Sequence, residues 1–157
     1  MNHQDIGKPK TREDFILFRG IYYGGSGASF LALLQLSNMP WSPVYLLAFT
    51  FLAASSIGFL CVGAMYEVIA VSFSYINESK RHFYRKYENY IVYIALAEGI
   101  VGGLSLMQKV LWPGASNLFT LRQNYIISAA FIIPFVSLVA IALIYIKFRN
   151  RLKILLH

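Results

Sequence analysis

Three charged side chains interrupt long apolar runs: Arg19, Glu67 and Glu98. Glu98 is the most isolated, set inside the stretch IALAEGIVGG at residues 94 to 103. A carboxylate surrounded by hydrocarbon is costly unless it finds a cationic partner, carries a proton or meets water. Its chemistry is therefore ion pairing or the holding of a proton. Arg19 and Glu67 are expected near the same depth, so the three residues are expected to form an intramembrane polar cluster towards one end of the protein. There Arg19 pairs with the carboxylate, or Glu98 shares a proton within a polar cavity. In the simpler arrangement Arg19 and Glu67 reach out to lipid headgroups and Glu98 alone is buried.

Other chemistry lacks its residues. His3, His82 and His157 have no mutual metal-ligand spacing, and the single cysteine, Cys61, sits in an apolar run where it reads as a small core thiol. Ser55, Ser56 and Ser128 have no histidine in any run to activate them. The glycine-rich GGSGAS is not followed by Gly-Lys-Ser/Thr and is not a phosphate loop. No catalytic residue, metal site or cofactor is expected, and the chain is not expected to be an enzyme.

The elements that position these residues follow from composition. The chain has 157 residues, 57% hydrophobic and only 13% charged, with a mean hydropathy of +0.55. That balance belongs to an integral membrane protein. A crossing helix needs about 20 mainly apolar residues, and four runs qualify: 15–36, 44–76, 90–111 and 125–146. The expected fold is all-α and polytopic, a single membrane domain of four transmembrane helices arranged as two helical hairpins. The turns SNMPWSP and WPGASN close the hairpins. The second run is long: its 33 residues would extend about 50 Å as a helix, against a hydrocarbon core of about 30 Å. It is expected to tilt or to project, with SFSYINESKRHFYRKYEN continuing as a helical stalk or a segment on the membrane surface. Glu98 falls eight residues in from Tyr90, about 12 Å deep by helical rise.

Charge sets the expected orientation. Of the 14 basic residues, 12 flank one side: the tail 1–14 together with Arg19, the basic loop 77–89, and the tail 147–157. Only Lys109 and Arg122 flank the other. The positive-inside rule then puts both termini and the middle loop in the cytoplasm, in a plasma or inner membrane. Trp41 and Trp112 fall in the two outer turns, where indoles anchor at the interface. The sequon at Asn77 lies on the cytoplasmic side and reads as coincidence. No lipidation motif or cleaved signal peptide is expected.

Small residues recur every four positions on three runs: Gly20, Gly24 and Ala28; Ala54 and Gly58; Ala95, Gly99 and Gly103. Such stripes let another helix backbone approach closely. Pro134 removes one backbone hydrogen bond from the fourth run and is expected to bend it. Lys80, Arg81, Arg85 and Lys86, with Arg149, Arg151 and Lys153, are expected to contact the anionic inner leaflet or a soluble cytoplasmic protein. Direct nucleic-acid binding is not expected. The stretch LAEGIVGGLSLMQK resembles the glutamate-bearing helix of the small multidrug resistance transporters, four-helix dimers that exchange protons for cationic drugs. Over those 14 residues the resemblance implies a proton-coupling role for Glu98 alone. Helix order, loop lengths, the long second run and the basic tail all depart from that family, so the likeness stays local and assigns no membership.

Two functions of different class follow. The first is a non-enzymatic membrane subunit, a scaffold or sensor, assembling with copies of itself or with other membrane subunits and engaging a cytoplasmic partner. The second is a small proton- or ion-coupled transporter or oligomeric channel using Glu98.

Overall fold

The computed structural model describes residues 11–39, 42–74, 78–111 and 123–156, with side chains for 11–39, 42–74, 86–107, 128 and 130–153. Those residues form four helices: α1 Arg12–Ser37, α2 Pro43–Val71, α3 Glu78–Leu111 and α4 Gln123–Leu156.

Local chemistry accounts for the helix ends. Thr11 caps α1 in a reciprocal box: its hydroxyl accepts from the Asp14 amide at 3.2 Å, and the Asp14 carboxylate accepts from the Thr11 amide at 2.9 Å. At the other end the Ser37 hydroxyl and the Asn38 side-chain amide both donate to the Leu34 carbonyl. Ser42 caps α2 by accepting from the Tyr45 amide, and Pro43 occupies the first helical position, where its missing N–H costs nothing.

Three segments are long and apolar enough to cross a membrane: Pro43–Val71, Lys86–Met107 and Ala130–Lys153. The first run, 15–36, also lies within a helix but is not among them. Arg19, Tyr22, Tyr23 and the cluster GGSGAS dilute its hydropathy. Two boundaries differ from expectation. The second run, expected through residue 76, is helical only to Val71, where Ser72 donates its amide to the Val68 carbonyl. Residues 78–89, expected as the greater part of a loop, form the first turns of α3. The overhanging basic stalk is thus helical, but it belongs to α3. The tail is helical too, because α4 continues to Leu156.

α2 is the hub, packed against α1, α3 and α4. Its length is lined by Ala54, Ser55, Val62, Met65 and Tyr66, none more than 2% exposed. One core cluster joins Phe15 at the start of α1, Tyr66, Ile69 and Ala70 late in α2, Ile91 early in α3, and Phe148 and Leu152 late in α4. Successive helices therefore alternate in direction, and the basic ends of α1, α3 and α4 gather around the end of α2, which itself carries no lysine or arginine. A smaller cluster, Leu33, Leu36, Ala48 and Leu52, closes the opposite end of the α1/α2 hairpin. The outward faces are apolar: Leu17, Leu31, Tyr93, Leu104, Phe135 and Leu143 are each at least 60% exposed. In water such a surface would aggregate, whereas lipid tails cover it without penalty.

Candidate functional site

At the basic end the structure brings together two of the three charged residues singled out in the sequence. Arg19 Nη1 lies 3.9 Å from Glu67 Oε1, and the pair is partly exposed. Tyr23 donates its hydroxyl to Glu67 Oε2 at 2.7 Å. The contact requires Gly63, because a Cβ there would lie 2.5 Å from the Tyr23 ring. Glu67 sits four residues before the end of α2, so this group belongs to the interface level rather than to the middle of the span.

Beside it is a second carboxylate that the sequence did not single out. Glu88 Oε1 accepts hydrogen bonds from Tyr22 at 3.0 Å and from Tyr66 at 2.5 Å, joining α1, α2 and α3. Tyr66 also stacks with Phe18 and Tyr22, and Phe15 packs against both Tyr66 and Phe73. Glu88 lay hidden in ESKRHFYRKYENY, where an acid among lysines and arginines reads as part of a solvated face. The tyrosines of the first run were the available signal, since a buried phenol needs an acceptor.

Glu98 stands apart from both groups. It is 3% exposed, and neither carboxylate oxygen has a hydrogen-bond partner among the described residues. The antiparallel register of α2 and α3 explains the separation. Gly58 lies against Ala95, Ser55 against Gly99 and Leu52 against Gly102. Glu67 is twelve residues beyond Ser55 on α2, about 18 Å away along the axis. Convergence of all three charges is therefore replaced by an Arg19–Glu67 pair at one end and a lone Glu98 in the middle. Glu98 lies inside the apolar segment of α3 that is long enough to cross a membrane.

The small-residue stripes have different fates. Those of α2 and α3 pack against each other: Ala54 and Ala95 are fully buried, a Cβ on Gly58 would meet Ala95 Cβ at 2.7 Å, and one on Gly99 would meet Ser55 Oγ at 2.9 Å. Gly102 joins this interface out of the four-residue register, close to Leu52. The α1 stripe turns away from the bundle. Among the described residues nothing lies within 4 Å of a Cβ on Gly20, Gly24 or Gly27, and Ala28 is exposed. Gly103 also faces open space. α1 meets α2 instead through Gly25 against the Phe59 ring and through a hydrogen bond between Ser26 and Ser56 at 3.1 Å.

Lys86, Arg149, Arg151 and Lys153 are exposed at the basic end. Lys80, Arg81 and Arg85 lie on the first turns of α3, with side chains outside the described residues, and Trp41 and Trp112 also lie outside them. Among the described residues no group of three or more His, Cys, Asp or Glu could hold a metal ion. No protein-family model matches the chain, and neither curated proteins nor solved structures give a match.

Proposed function

We propose that the protein is a non-enzymatic integral membrane subunit that crosses the bilayer four times and assembles laterally through α1. Both termini and the start of α3 then lie in the cytoplasm of a plasma or inner membrane. The observation that carries this reading is the outward α1 stripe of Gly20, Gly24 and Ala28, flanked by exposed Leu17, Ile21 and Leu31. Small residues four apart, with none of the described residues above them, are the surface on which a second transmembrane helix packs closely. The partner is a copy of the chain or another membrane subunit.

The crossing of α1 is supported by its packing. Phe15 joins the core at the basic end and Leu33 and Leu36 join the core at the other, so α1 accompanies α2 along its length. The basic start of α3 and end of α4 meet anionic headgroups, and together they offer a docking surface for a soluble cytoplasmic protein, as a scaffold or sensor requires. Cysteine cross-linking in native membranes tests the assembly. With Cys61 replaced by Ala, a cysteine at Gly24 forms a cross-linked species and one at Phe131 on α4 does not. Gly24→Leu abolishes association while the chain still inserts. Equal cross-linking from both helices, or none from α1, contradicts the reading.

A second reading, a small proton- or ion-coupled transporter or oligomeric channel, is favoured by one observation: Glu98 is buried, without a hydrogen-bond partner among the described residues, in a helix apolar enough to cross a membrane. Flux across liposomes that Glu98→Gln abolishes supports it, and an absence of flux excludes it.

A further inference from the structure

α2, α3 and α4 meet at one tight layer, where Gly58 approaches Ala95 and Ile141. One helical turn further from the basic end, the same three helices present Ser55, Glu98 and Ser137. The Ser137 hydroxyl stands close to the Glu98 carboxyl without a well-formed hydrogen bond to it, and Ser55 Oγ lies against the backbone at Gly99. Ser55 is fully buried and, like both Glu98 oxygens, has no hydrogen-bond partner among the described residues. One turn beyond, Pro134 has no N–H to give to the carbonyl of Ala130, itself a fully buried residue. The layer therefore offers one carboxyl group and two hydroxyls, with the carbonyl freed by Pro134 two turns further along α4.

The positive charge that a buried carboxylate requires does not come from the described residues. The polar residues at this level of α2 and α4 are Ser55, against Gly99, and Ser137, and the nearest titratable residue on α2 is Cys61, six residues from Ser55. On α4 the first titratable residues beyond Ser137 are Tyr145 and Lys147, and Lys147 is about 15 Å away along the helix. On α3 itself, Tyr93 is exposed, Glu88 is engaged by two tyrosines, and Lys86 is about 18 Å distant. Arg19 is engaged by Glu67. At 3% exposure, Glu98 is also closed to a side chain from another subunit. We propose that Ser55, Glu98 and Ser137 form a site for one exchangeable monovalent cation, either a proton or an alkali ion stripped of its water. A divalent ion is disfavoured by the single carboxylate.

This inference names the ligand of the second functional reading, yet it requires binding only. The site can load without carrying anything across, so the binding and flux experiments fail separately. The test uses the full chain in liposomes and dicyclohexylcarbodiimide, an apolar reagent that adds to a carboxyl only when it is protonated. Mass spectrometry should find the adduct on Glu98, with none in Glu98→Gln. Protection by sodium or lithium, but not by choline, assigns an alkali ion. Labelling indifferent to those salts, and lost reversibly as pH rises, assigns a proton. Ser55→Ala and Ser137→Ala should each move the salt or pH midpoint by about tenfold in concentration, the effect of one lost hydrogen-bond ligand, with helicity unchanged. Absence of labelling at every pH, or labelling that neither salt nor pH alters, overturns the proposal.

Discussion

Glu88 and Glu98 lie ten residues apart on α3, and the bundle treats them oppositely. Glu88 accepts two phenol hydroxyls from α1 and α2 within an aromatic cluster. Glu98, placed where glycines, alanines and serines bring the helices close, is deeply buried and accepts nothing among the described residues. The first region spends its polar groups on holding three helices together. The second keeps a polar group at a stability cost, which is the pattern expected of a functional position.

The comparison breaks most sharply if the two glutamates respond alike to substitution. Glu88→Leu leaves Tyr22 and Tyr66 without their acceptor and should lower stability by about 3 kcal/mol in a mild-detergent unfolding titration. Gly58→Ala probes the tight layer. Its new methyl meets Ala95 beside the backbone, so α2 and α3 must move apart, at a cost of about 2 kcal/mol in the same titration. Glu98→Leu should have the opposite sign and stabilise the bundle by about 1 kcal/mol, because it removes an unsatisfied buried group. Arg19→Gln should be smallest, below about 0.5 kcal/mol, because its contact with Glu67 is long and partly exposed. A large loss in Glu98→Leu would mean that Glu98 has a structural partner.

Much of this was legible in the sequence because bilayer physics is simple. Apolar length gave the helices, and the skew of lysines and arginines gave the gathering of their basic ends. Glu98 stood out because its neighbours are apolar. Helix facing was less legible. Gly20, Gly24 and Ala28 have the same spacing as Ala95, Gly99 and Gly103, and spacing identifies a smooth face without saying what it meets. α1 is turned by Tyr22 and Tyr23, which must reach Glu88 and Glu67, and this rotation sends its stripe outward. Gly63 and Gly102 escaped notice because neither falls in a four-residue series, yet each lies under a neighbouring side chain. The end of α2 was missed because apolar text continues past Val71 to Ile76, although the helix does not.

Everything proposed for lateral assembly requires α1 to cross the membrane beside α2. Thiol accessibility in intact cells measures this directly, using a membrane-impermeant reagent on a Cys61→Ala background, with single cysteines at Thr11 and at Asn38. The account predicts that Asn38→Cys reacts from outside and that Thr11→Cys reacts only after the membrane is opened. Reaction of both positions from the same side would contradict it, leaving α1 at the surface of a protein that crosses three times.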